Sequence, residues 1–149
     1  MTDNSEQLQA TGSSLVPAHW FRRLVNYLID MPIALVASVF CMLMVSAIAG
    51  AVSNDKIPEK TLEYLGGGAF LLTFAAYFAL PELLFGRTLG KLVTGTKAVM
   101  DNGSKLTFDA AVSRAAIRMI NIEVFSFVGK KTPVGWHDKV AKSIVITVR

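Results

Sequence analysis

Charge is scarce in this sequence: Asp, Glu, Lys and Arg make up 17% of its 149 residues, against about a quarter in ordinary soluble domains. Cysteine is scarcer. The single one, Cys41, excludes an intramolecular disulfide, and its place inside an apolar run reads as a packing residue. Only two histidines occur, His19 and His137, and neither has a second ligand at metal-site spacing. Lys and Arg are absent from residues 1–17, a polar stretch that carries Asp3 and Glu6. A cleavable signal peptide opens with positive charge, so this stretch reads as a disordered tail, and insertion would fall to the first apolar helix. No Ser-His-Asp or Cys-His arrangement can be drawn. Gly86-Arg87-Thr88-Leu89-Gly90-Lys91 superficially resembles a phosphate loop, but too few residues separate its glycines and Leu92 follows the lysine. No enzyme activity, cofactor or metal is expected.

What the sequence has in plenty is apolar surface, 52% of residues, with a mean hydropathy of +0.47. From Met31 to Ser53 no charged residue occurs, a run long enough to cross a hydrocarbon core of about 30 Å at about 1.5 Å per residue. A spanning helix is expected over about 24–52. Asn54 to Glu63 is polar and short. A second apolar run, Tyr64 to Phe85, is interrupted only by Pro81 and Glu82, and predicts a second spanning helix over about 64–85. Gly66, Gly67 and Gly68 at its start fit either close helix approach or a frayed helix start.

Beyond Gly86 the pattern changes. Val93–Met100 and Ser104–Phe108 are strand-like and flank Asp101-Asn102-Gly103, which predicts a hairpin; Ser143–Val148 is a further strand candidate able to pair with it. Asp109 to Val128 reads as an amphipathic helix, with Asp109 as its N-cap and Arg114, Arg118 and Asn121 on one face. Two arginines make it a poor span and a better interfacial element. The expected fold is an all-α membrane protein: two transmembrane helices as an antiparallel hairpin, a third amphipathic helix and a short cytoplasmic β-hairpin.

The cations test that topology. Arg22 and Arg23 precede the first span, Lys56 and Lys60 lie between the spans, and the other eleven Lys and Arg follow the second. Two spans therefore place thirteen cations on one side and two on the other. The positive-inside rule makes the crowded side cytoplasmic, with both termini there. The net charge of +4 then reflects membrane orientation and contact with anionic lipids at the cytoplasmic face, rather than nucleic-acid binding.

Arg23 and Asp30 lie two turns apart on one helix face, flanked by Trp20 and Tyr27 at belt positions. An acid at that depth faces protein or a wet cavity. Asp30 is either a register anchor paired with a basic residue or a carboxylate that binds a cation or proton. Glu82 falls at a similar depth, with Arg23, Arg87, Arg114 and Arg118 available. The two acids would form a buried ionic cluster or a site where one holds a proton, with Arg23 setting their charge state.

Phe21-Arg22-Arg23 … Tyr27-Leu28-Ile29-Asp30, then Gly86-Arg87-Thr88-Leu89-Gly90-Lys91 … Asp101-Asn102-Gly103 … Arg114 … Arg118, then His137-Asp138-Lys139-Val140-Ala141 together resemble the RDD family of membrane proteins, named for one arginine and two aspartates. Arg23, Asp30 and Asp138 match those residues, and residues 18–149 would form the membrane domain. The chain departs from the pattern in the short stretch between Arg118 and His137. The resemblance implies a multi-pass protein of a bacterial inner membrane with a role in transport; cation/proton antiport is attributed to some members. Two helices cannot enclose a pore, so transport would need a homo-oligomer or a partner membrane protein. Arg23, Asp30, Glu82, Arg114, Arg118 and Asp138 are the candidate residues. The competing expectation is a non-transporting membrane scaffold or assembly partner, in which these residues are structural pins.

Overall fold

A computed structural model describes residues 16–53, 56–119 and 136–148. Helix α1 (Trp20–Val52) opens at His19, whose Nδ1 accepts from Phe21 N (3.3 Å), and closes with Ser53 Oγ donating to Ala49 O (2.8 Å). Helix α2 (Glu59–Phe85) packs antiparallel beside it and contains Pro81 in its last turns. Both begin earlier than the apolar runs suggest, because the polar residues at their starts also take helical conformation. Gly66 settles the glycine question for itself. A Cβ there would stand 2.5 Å from Ser46 Oγ of α1, so it marks close approach within α2, whereas Gly67 and Gly68 have nothing within 4 Å.

Both helices are long and apolar enough to cross a membrane, and only 11% and 17% of their most apolar 18-residue stretches are buried. Val36, Phe40, Leu72 and Leu84 are exposed on them. A core helix of a soluble protein would hide such side chains. Met31, Ala34, Phe74 and Phe78 form the buried seam between the helices, joined by Ala115.

Gly86 ends α2 in the left-handed conformation (φ +69°), its N–H returning to Glu82 O at 2.9 Å. A short helix α3 (Leu89–Thr94) follows, and its last two residues, Val93 and Thr94, take the start of the strand expected from Val93. Strand β1 (Thr96–Met100), helix α4 (Phe108–Arg118), helix α5 (Trp136–Val140) and strand β2 (Ser143–Thr147) are the remaining elements among the described residues. β1 and β2 pair antiparallel, from Thr96 opposite Thr147 to Met100 opposite Ser143.

The Asn-Gly hairpin is therefore corrected. Gly103 N does turn back to Met100 O (2.8 Å), but Ser104–Phe108 forms no strand. Thr107 Oγ1 instead accepts from Ala110 N (3.3 Å) and caps α4. Leu106 drops into a core with Ala18, Ala98, Ala110, Ala141 and Val145. A capping hydroxyl with Asp109 in the first turn favours helix start over strand, and β2 takes the partner position. Thr107, rather than Asp109, is the N-cap. The expected helix over 109–128 is present to Arg118; its remainder from residue 120, including Asn121, lies outside the described residues. So does the expected disordered tail up to residue 15. Val16 and Pro17 were expected within that tail, yet Thr147 N donates to Val16 O (3.2 Å), Pro17 bridges to Ile146 and Ala18 N donates to Val145 O (2.9 Å). The free edge of β2 captures them.

Candidate functional site

The face of α1 turned inward carries Arg23, Asn26, Asp30, Ala34 and Ser38, spaced three and four residues apart. Its polar half meets α3, α4 and α5 at the end of the helical hairpin where the cations gather. There the protein buries an unusual amount of charge. Arg114 and Asp138 are 0% exposed and Glu82 is 1% exposed. Such burial is tolerated only where every charge has partners.

Glu82 accepts from three cations: Arg114 Nε at 2.8 Å, Arg118 Nη1 at 2.7 Å, and Lys91 Nζ. Arg114 then reaches across to Asp138 and to Ser143 Oγ (2.6 Å) through Nη1. Asp138 also accepts from Arg23. A continuous chain results, Lys91–Glu82–Arg114–Asp138–Arg23, which ties α1, α2, α3, α4 and α5 together. Arg118 additionally lies 4.9 Å over the Phe78 ring. Two guanidinium nitrogens, Arg23 Nε and Arg114 Nη2, have no acceptor among the described residues.

Asp30 stands apart from this chain. Its partners are uncharged: Tyr77 OH donates at 3.1 Å, Gly90 N–H at 2.8 Å, and the Thr88 hydroxyl donates to its other oxygen. No cation pairs with it among the described residues. Arg23, expected to set its charge state, goes to Asp138 instead. α3 can approach so closely because residue 90 is glycine: a Cβ there would meet Asn26 O at 2.6 Å and Asp30 Cγ at 2.9 Å. The Asn26 amide fixes the same contact, its nitrogen facing Gly90 O (2.9 Å) and its oxygen facing Thr96 Oγ1 (2.9 Å). Tyr77 and Thr88 also line a cleft of about 610 Å³ that opens beside the end of α2.

Counted together, the described buried groups are four cations (Arg23, Lys91, Arg114, Arg118) and three carboxylates (Asp30, Glu82, Asp138). The compact, strongly hydrated ammonium is the group most penalised by this excess. Burial pushes Lys91 down to about 7; Glu82 opposes the fall, and Arg118 and Arg114 add to it. Burial also opposes the charge on Arg114, but Glu82 and Asp138 outweigh it and raise its pKa. Near the surface, Asp101 is raised by burial and by Asp138.

Five of the six residues singled out from the sequence thus meet in one network, while the sixth, Asp30, forms a neighbouring centre. Sequence reasoning missed Lys91, Thr88, Gly90, Tyr77, Asn26 and Ser143. The signal for three of them was the Gly86–Lys91 motif, whose glycine and hydroxyl serve Asp30 and whose ammonium serves Glu82, rather than a phosphate. Arg87, counted among the available cations, lines the cleft instead.

A family model described as the RDD family matches residues 17–142. No curated protein and no solved structure matches the chain. The family match and the two exposed apolar helices together support a membrane protein.

Proposed function

The chain belongs to the RDD family, and we propose that it is a two-span protein of a bacterial inner membrane that helps move a small ion or small solute as an oligomer. In this reading α1 and α2 cross the bilayer and both termini face the cytoplasm, the side that holds thirteen of the fifteen Lys and Arg. α1 has 33 residues and spans about 50 Å, well beyond a hydrocarbon core of about 30 Å. The uncharged run from Met31 to Ser53 fills that core. Asp30 and the ionic network therefore sit at its cytoplasmic edge.

The observation that carries the transport reading is the setting of Asp30. It is a buried carboxylate held by two hydroxyls and one amide instead of an arginine, and the two residues that bear those hydroxyls, Tyr77 and Thr88, are among those that line the cleft. Among the described residues no arginine pairs with it, so a cation that reached the carboxylate would meet no competing positive partner. Arg23, Glu82, Arg114, Arg118 and Asp138 then hold the frame. A pair of helices encloses no path, so copies of the chain or a partner membrane protein must complete it.

Proton and alkali-cation flux in proteoliposomes tests this, comparing wild type with Asp30→Asn. The expected result is flux in the wild type and its loss in the variant. Unchanged flux in well-folded variant protein would remove Asp30 from the path. The second reading, a non-transporting scaffold, is favoured by the ion pairing of the other five residues with one another. It predicts no wild-type flux at all, with Asp30→Asn lowering stability or partner recovery.

A further inference from the structure

The cleft beside Asp30 has a second character of its own. Pro81, Phe85, Leu89 and Leu92 give it an apolar lining, and Phe85, Leu89 and Leu92 are strongly exposed. Arg87 and Lys97 line it too, both half-buried and neither in an ion pair among the described residues. Lys97 reaches the cleft by laying its stem across Gly86: its Cε would be 2.9 Å from a Cβ at that position. Every cation of the buried network faces a carboxylate. These two do not, and they stand where α2 leaves the apolar zone. A concave apolar wall capped by two unneutralised cations matches an amphipathic anion.

We infer that this cleft seats an anionic phospholipid, with its phosphate between Arg87 and Lys97 and an acyl chain along Pro81, Phe85, Leu89 and Leu92. The inference rests on the membrane reading above but is independent of transport. The lipid would cover the exposed apolar side chains at the end of α2. It would also pack against Tyr77 and Thr88, the two hydroxyl donors to Asp30, so lipid occupancy and the Asp30 centre share a wall.

The test uses the full chain in nanodiscs of phosphatidylcholine alone or with phosphatidylglycerol, reading retained lipid by mass spectrometry after transfer to neutral detergent. Wild type is expected to retain phosphatidylglycerol in preference to phosphatidylcholine. R87Q/K97Q should lose roughly thirtyfold in relative affinity, about fivefold for each cation removed. The single variants R87Q and K97Q should each lose about fivefold, which keeps the test open if the double variant unfolds. K105Q/K139Q removes the same charge from exposed sites outside the cleft and should retain the lipid. Equal loss in both double variants would show diffuse surface attraction and overturn the site. So would full displacement by millimolar inorganic phosphate, which would mark a site for the free anion. A chain that stays dissolved without detergent or bilayer would instead refute the membrane reading itself.

Discussion

Arg114 is the joint of the buried network, and its replacement tests whether that network holds the fold. Arg114→Leu removes three charge-assisted hydrogen bonds, to Glu82, Asp138 and Ser143. At about 1.5–3 kcal/mol each, their simple sum would be roughly 4–9 kcal/mol. That sum is an upper bound, because Glu82 keeps Lys91 and Arg118 and Asp138 keeps Arg23. Breaking a buried pair by removing one member costs about 3–5 kcal/mol, and we expect the loss in that range. Arg114→Lys keeps the charge but replaces the planar fork with a single ammonium that cannot span both carboxylates; about half the loss should return. Denaturant unfolding in mild detergent, followed by circular dichroism, measures both. For a chain of this size the leucine variant should melt roughly 10 °C lower, taking about 3 °C per kcal/mol. A leucine variant within 1 kcal/mol of wild type would refute the reasoning, since the carboxylates would then have been satisfied without Arg114.

Gly90→Ala should destabilise by about 1–3 kcal/mol, because the new Cβ would press on the Asn26 backbone oxygen at 2.6 Å and push α3 away from Asp30; an unfolding curve superimposable on wild type would contradict this. Lys91 gives a pH test. Burial pushes its ammonium down to about 7 from an ordinary value of 10.5, with Arg118 and Arg114 adding to the fall and Glu82 opposing it. Between those two values the unfolded chain binds more protons than the folded one. Stability should therefore rise with pH through that window, by at most about 1.4 kcal/mol per unit. Unfolding measured from pH 7 to 9.5 should show that slope in wild type and a flatter one in Lys91→Met; equal slopes would dissociate Lys91 from it.

The sequence by itself determined the two long apolar helices, since uncharged length is a one-dimensional property that needs no knowledge of contacts. It also placed Arg23 and Asp30 on one face of α1, because helical period alone decides that. Family membership was legible for the same reason: the ordered series from Phe21-Arg22-Arg23 to His137-Asp138 is local at each step. What only the tertiary structure decided is who partners whom. Arg23 reaches Asp138 across 115 residues of sequence, a pairing no local spacing encodes, while Asp30 is left to Tyr77, Thr88 and Gly90. The Asn-Gly hairpin failed on the same ground, since β1 found its partner in β2 and the residues after the turn were drawn into a core and a helix cap. Local propensity proposes an element, but burial of Leu106 and capping by Thr107 selected among the proposals.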